Sequence, residues 1–266
     1  MANNGSQRPC QPSREVALRV RGIKKAFRSQ AGAETLALDG VDLSVDRGEF
    51  VVLIGPTGCG KSTLLNILGG VERPNEGEIV FETQQGQPGR VGYVFQHYTM
   101  FPWRTLIDNV AFSMQMQGVP RRQRLETARD LLDQVGLSGF ASAYPHETSG
   151  GMRQRAAIAQ ALAVRPEILL MDEPFGALDD GTRTELQHLL VRLYQESEAT
   201  VLFVTHNIDE AVALADRIVV CSSRPGRIVQ EISVPLSRPR RTLDPEFTEV
   251  FVQVRKAVQT GLHPLE

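Results

Sequence analysis

The stretch Val51-Val52-Leu53-Ile54-Gly55-Pro56-Thr57-Gly58-Cys59-Gly60-Lys61-Ser62-Thr63-Leu64-Leu65-Asn66-Ile67-Leu68 decides the fold. It opens with a β-branched apolar run, turns through glycines, and continues with Leu and Ile at helical spacing. Residues 55–62 fit the spacing G-x-x-x-x-G-K-[ST]. Glycines there let the backbone turn tightly and bring its N–H groups close to anionic oxygens. A helix that starts near Lys61 aims its unpaired N–H groups and positive dipole end at the same anion. Lys61 adds a full charge suited to β- and γ-phosphates, and Ser62 offers a hydroxyl to Mg²⁺. The bland alternative is a glycine-rich turn that happens to precede a helix. The strand before it and the helix after it are the context the motif requires, so the chain is expected to bind a nucleoside triphosphate.

Working outward, 266 residues with 41% hydrophobic and 23% charged side chains suit a globular chain able to bury a full core. The net charge of −2 and the lack of a long basic face disfavour nucleic acid as the main partner. Cys10, Cys59 and Cys221 are too few and too scattered for a disulfide framework or a metal site, which suits a reducing compartment. The histidines form no ligand-spaced cluster. No apolar run approaches the ~18 residues of a membrane span. Residues 1–14 are polar and read as a disordered arm.

Residues 16–20 with Ile23, residues 36–45, 78–81 and 91–95 read as strands, forming a partly antiparallel layer beside a nucleotide-binding sheet. From Thr105 the period becomes helical through about Val164, with Leu125, Ala128, Leu131, Leu132 and Val135 on one face. Continuous apolar runs return at 168–171 and 200–204, as in parallel strands covered on both faces. Helices are expected at about 181–196 and 207–215, and a last core strand at 217–221. The expected fold class is α/β: a phosphate-loop core with a parallel sheet, an antiparallel β subdomain and an inserted helical subdomain. In boundaries, 15–236 is expected to form the nucleotide-binding domain, with core 15–99 and 166–236 and helical subdomain 100–165. Residues 237–266 add a solvated basic linker (237–241) and a terminal amphipathic helix.

The second anchor is Asp172-Glu173 at the end of the 168–171 run, where α/β folds place ligands. Asp172 is placed to reach a Mg²⁺ held by Ser62, and Glu173 to polarise an attacking water. Between the anchors, Thr148-Ser149-Gly150-Gly151-Met152 precedes a helix and makes a second anion-binding N-terminus. Two such sites separated by a helical insert are hard to explain as one pocket.

At this point the chain resembles the ATP-binding subunits of ABC transporters, over about residues 15–235. The resemblance implies ATP and Mg²⁺ as ligands and assigns roles by position. Phe27 resembles the aromatic that stacks on adenine, and the backbone and side chains of 55–63 hold the phosphates. Gln96 matches a glutamine that senses Mg²⁺ and meets the membrane partner. Ser149, Gly150, Gly151 and Met152 resemble the signature motif that closes on the other subunit's ATP in a head-to-tail dimer. Asp179 matches the D-loop, and His206 the switch histidine. The implied catalytic set is Glu173, His206 and Gln96, and the implied Mg²⁺ set is Ser62, Gln96 and Asp172. Thr148 stands where the family usually has Leu, which bears on the packing of that turn.

Residues 100–105 (Met100-Phe101-Pro102-Trp103-Arg104-Thr105), 223–228 and 207–211 are similar to segments of the nitrate/sulfonate/taurine branch of bacterial importers. The branch implies a homodimer or paired ATPase subunit that energises a membrane permease importing a small anionic solute. It also implies an extracytoplasmic solute-binding protein acting indirectly, and a peripheral place on the cytoplasmic face of the membrane. A soluble non-transport ABC ATPase is the alternative reading, and a phosphate-loop small-molecule kinase leaves Ser149–Met152 and His206 unexplained. Two side chains carry further expectations. Trp103 should be partly exposed in the isolated subunit. Cys59, beside a helix N-terminus, should have a lowered pKa and heightened reactivity.

Overall fold

The computed structural model describes residues 15–28, 32–82, 90–97, 99–197 and 199–262. The arm 1–14 and the polar loop 84–89 therefore lie outside the described residues. The strands are β1 (Val16–Arg28), β2 (Glu34–Asp46), β3 (Phe50–Ile54), β4 (Glu76–Phe81), β5 (Val91–Val94), β6 (Ile168–Asp172), β7 (Thr200–Thr205), β8 (Arg217–Cys221) and β9 (Ile228–Ser233). The α-helices are α1 (Lys61–Leu68), α2 (Leu106–Met116), α3 (Arg121–Gln134), α4 (Gly150–Leu162), α5 (Asp180–Gln195), α6 (Ile208–Leu214) and α7 (Pro245–Leu262).

The main sheet runs β5-β6-β7-β3-β8-β9, parallel from β5 through β8 and closed by the antiparallel edge β9. Every residue of β3, β6 and β7 is buried, as expected of parallel strands covered on both faces. The side-chain period of two splits β3 between the two cores. Phe50, Val52 and Ile54 join a core built with α2 to α7. Val51 and Leu53 join a second core with β1, β2 and α1. A separate antiparallel sheet, β2-β1-β4, covers that second face. This is the α/β class expected from the sequence, with the helices α2 to α4 inserted between β5 and β6.

Three details differ from the sequence reading. β1 is thirteen residues long and carries Phe27, paired with Thr35, inside the strand. β9 was not foreseen, because its mostly exposed Ile228-Val229-Gln230-Glu231-Ile232 run lacks the strict alternation of a half-buried strand. The third is the basic stretch 237–241, which is not a solvated linker. Arg240 donates to the carbonyls of Val212 (2.7 Å) and Ala215 (2.6 Å), and Arg238 to that of Leu214. These carbonyls end α6 without intrahelical partners, so the two guanidiniums cap its negative dipole end. Arg238 also lies over the Phe50 and Tyr194 rings and pairs with Asp216 at 2.9 Å.

Candidate functional site

Sheet register assembles the site before any side chain is considered. Ile54, the last residue of β3, pairs with Thr205, the last of β7. Val204 pairs with Asp172, the last of β6, and Met171 pairs with Val94, the last of β5. The loop 55–60, Glu173, His206 and Gln96 therefore all emerge at the carboxyl end of one parallel sheet, the place where open α/β sheets form a ligand crevice.

Gly60 caps α1 at φ 100°, a left-handed conformation suited to glycine, and gives no side-chain cap to the helix. The first N–H groups of α1 thus have no side-chain acceptor at the cap. Lys61 is 6% exposed and its Nζ donates to the carbonyls of Gly55 (2.8 Å) and Pro56 (3.0 Å), bending the chain around the ammonium group. Ser62 Oγ donates to Asp172 Oδ1 at 2.9 Å, so residues 110 positions apart meet as their spacing to the two strand ends requires. Burial raises the Asp172 pKa above the usual carboxylate value; the Ser62 hydrogen bond opposes this and the Glu173 charge adds to it. The Cys59 thiol is buried rather than open to reagents. A hydrogen bond from the Cys221 thiol, helped by the Lys61 charge, lowers its pKa. The direction expected from sequence holds, but the cause is chiefly a partner thiol from β8, and the accessibility is absent.

Glu173 and His206 meet at one point. His206 Nδ1 lies 3.0 Å from Glu173 Oε2. Glu173 takes φ 43°, a left-handed conformation unusual for a non-glycine residue. Its N–H donates to the Val204 carbonyl at 3.0 Å, which ties the strained residue to the next strand. The turn bearing His206 is fixed from behind. Thr205 Oγ1 donates to the buried Glu210 carboxylate at 2.6 Å and accepts the Asn207 N–H at 3.0 Å. Asn207 in turn caps α6 by accepting from Asp209 and Glu210 N–H groups.

The remaining sequence-selected residues stand apart from this cluster. Gln96 is exposed, two residues beyond β5. Phe27 is 40% exposed, with Lys25 Nζ 4.9 Å over its ring. Ser149 caps α4 and accepts the Met152 N–H at 3.3 Å, while Gly151 packs on α5, where a Cβ would lie 2.6 Å from Thr182 Cγ2. Asp179 caps α5 and accepts from Thr182 N–H and hydroxyl. Those hydrogen bonds lower its pKa. Thr148 is buried and donates to the Pro145 carbonyl at 2.8 Å, and Arg153 donates to the Thr148 carbonyl. The polar side chain is thus satisfied within its own turn.

At the start of the helical insert, Asn109 is fully buried on α2. Its side chain accepts the Phe101 N–H and donates to the carbonyls of Phe101, Arg104 and Thr105. Thr105 caps α2, and Asn109 pins the preceding turn. That turn presents Trp103, 70% exposed, against Phe101 at 5.4 Å between ring centroids. Two features escaped the sequence reading as parts of the site, Leu38 of β2 and the turn 222–227, both pressed against the 55–60 loop. Only the Pro225-Gly226 pair signalled them, and a turn signal does not say what the turn touches.

Residues 38–176 match the family model described as ABC transporter. An uncharacterized ABC transporter ATP-binding protein of Methanocaldococcus jannaschii is 46% identical over 237 residues, 88% of each chain. The nitrate import ATP-binding protein NrtD of Synechocystis sp. is 42% identical, with 85% of each chain covered. The bicarbonate transport ATP-binding protein CmpC of Synechococcus elongatus is 45% identical over 90% of this chain and 37% of its own. Among solved structures, an ATP-binding cassette in a dimeric post-hydrolysis state with ADP and Pi superposes with a TM-score of 0.73. It shares 31% identity and covers 83% of this chain and all of its own. A crevice built on a phosphate loop, with this likeness along most of the chain, makes the protein an ATP-binding ATPase subunit of the ABC transporter family.

Proposed function

We propose that this subunit binds MgATP on the 55–63 loop, hydrolyses it between Glu173 and a water, and couples the cycle to a membrane importer. The observation that carries the proposal is the alignment of Ser62–Asp172 and Glu173–His206 on adjacent strand ends. N–H groups of residues 58–63 and the Lys61 ammonium would take the triphosphate, and Phe27 the adenine face. Ser62 and Asp172 offer two hard oxygens side by side, a donor set that fits Mg²⁺, whose other ligands come from phosphates and water. Bound there, Mg²⁺ would neutralise charge on the phosphates. Gln96, which leaves β5 at the same end of the sheet, would join through a water.

Glu173 is the group suited to accept a hydrogen bond from the attacking water. Its carboxylate is held by the Nδ1–H of His206, which orients it and leaves the second oxygen for the water. Ser149, Gly150, Gly151 and Met152 would complete the γ-phosphate contacts of a second copy, with Asp179 at the same seam. The dimeric state of the similar cassette supports pairing of two copies.

Among the described residues no helix is long and apolar enough to cross a membrane. We therefore assign the membrane function to a partner permease that holds this subunit at the cytoplasmic face, with an extracytoplasmic binding protein supplying solute. Exposed Trp103 beside the helical insert is the proposed permease contact. Relatives named for nitrate and bicarbonate support a small anion as the solute. Two arms test the proposal. Purified protein should hydrolyse ATP only with a divalent cation, and Asp172→Asn should not. Trp103→Ala should keep that ATPase rate yet weaken permease assembly by roughly 30-fold or more, the scale of a buried aromatic anchor. Cation-independent turnover, or wild-type assembly by the variant in a pull-down, would count against the respective arm.

A further inference from the structure

The 222–227 turn touches the phosphate loop along its outer side. Gly226 N–H donates to the Ala37 carbonyl at 2.9 Å and its carbonyl accepts from Asp39 N–H at 3.1 Å, so the turn forms a one-residue bridge on β2. Its Cα abuts the Cys59 carbonyl so closely that any Cβ would overlap that oxygen. Two residues earlier, Arg224 Nε donates to the Gly58 carbonyl at 3.2 Å. The turn is itself tightly held. Ser222 Oγ accepts the Arg227 N–H at 3.0 Å, Ser222 N–H donates to the Arg227 carbonyl, and Arg227 Nε reaches Asp39 at 3.1 Å. Its near end is moored to α7, where Ser223 N–H donates to the Gly261 carbonyl at 2.9 Å.

A trans peptide places its N–H opposite its carbonyl. Holding the Gly58 and Cys59 carbonyls outward therefore turns the Cys59 and Gly60 N–H groups toward the inner side of the loop. Cys59 N–H meets the Pro56 carbonyl there, at 3.3 Å. Leu38 and the Ala37 carbonyl close the same loop at Gly60, where a Cβ would lie 2.7 and 2.8 Å from them. We propose that residues 222–227 form a strap that sets the phosphate-loop conformation, with Arg224 and Gly226 as its positioning residues. The strap acts through the Gly58 and Cys59 carbonyls and also joins β2, which pairs with the strand carrying Phe27, to the loop.

This inference rests on reading residues 55–62 as the triphosphate cradle. The experiment measures ATP Kd, KM, kcat and Tm for Arg224→Ala, Arg224→Lys, Gly226→Ala and Lys61→Ala. Arg224→Ala should raise Kd and KM about tenfold while kcat and Tm stay near wild type, since one charged hydrogen bond is lost at a single loop peptide. Arg224→Lys, which can still donate to the carbonyl, should recover most of the affinity. Gly226→Ala should lose more than Arg224→Ala, and if it does not fold, the two Arg224 variants decide. Wild-type Kd in Arg224→Ala, or a Tm loss that tracks the KM change, overturns the strap. If Lys61→Ala also binds ATP normally, the cradle reading itself has failed; if only Lys61→Ala is impaired, the strap alone has.

Discussion

Two helices in this chain begin after glycines or on them, and their N-termini are finished in opposite ways. At α1 the cap is Gly60, which offers no side-chain acceptor, and the next residues are drawn inward. Lys61 is buried in the loop and Ser62 is bonded to Asp172 of a neighbouring strand. At α4 the cap is Ser149, exposed at the surface, and it accepts a hydrogen bond from its own helix at Met152. Both ends carry the same positive dipole. The first is embedded among carboxylate, lysine and three strand ends of its own chain. The second presents Ser149 outward, with Gly151 resting on Thr182. One anion-binding end is thus surrounded by charged groups of its own chain, and the other is exposed; on the proposed function a second copy completes the exposed end. The proposed two-subunit site uses this difference.

The comparison breaks most visibly at the chemistry. Glu173→Gln should lower kcat by about 100- to 10,000-fold, the span of a lost general base, and leave ATP binding intact in a filter or fluorescence titration. Ser149→Glu probes the outward end. It should cut steady-state turnover by roughly 100-fold, since a carboxylate would face the partner's phosphate, while the monomer's ATP affinity changes about twofold or less. An equal loss of monomer affinity would place α4 and α1 in one pocket and remove the distinction. Lys61→Ala should weaken ATP binding by about 10- to 100-fold through the inward end alone, read by isothermal titration.

The smallest expected effect is thermodynamic. Burial raises the folded-state pKa of Asp172 above its unfolded value, so between those values the folded chain holds the proton more tightly. Stability from this group therefore falls as pH rises through that window. At neutral pH, Asp172→Asn should leave Tm unchanged or raised, although MgATP turnover is lost. A lower Tm for Asp172→Asn, with the low-pH Tm unaffected, would show that the ionised carboxylate is a net stabiliser.

The inward end was legible because short-range spacing dictates it. A strand, a glycine turn and a helix follow one another between Val51 and Leu68, and the Asp172-Glu173 pair closes an apolar run that suits a covered strand. Register between parallel strands then brings Ser62 to Asp172 and His206 to Glu173. Features that depend on distant segments arriving at one place were not legible. Arg238 and Arg240 looked like solvated charge until the end of α6 supplied carbonyls for them. Cys59 looked reactive from its place beside a helix N-terminus until the fold buried it and β8 delivered Cys221. Gly226 stood out only within a segment similar to the importer branch, and the approach of Cys59 shows why no larger residue fits. Nothing in the spacing marked Asn109, whose buried amide bonds to the backbone between Phe101 and Thr105.

The most direct test of the shared site is the oligomeric state of Glu173→Gln, measured by size-exclusion chromatography with light scattering, with and without MgATP. Hydrolysis should be blocked in this variant with both kinds of helix end intact, so it should run as a monomer alone and as a dimer with MgATP. Adding Ser149→Glu to the same variant should return it to monomer while ATP stays bound. A Glu173→Gln protein that remains monomeric at saturating MgATP, or a double variant that still dimerises, would contradict the two-subunit account.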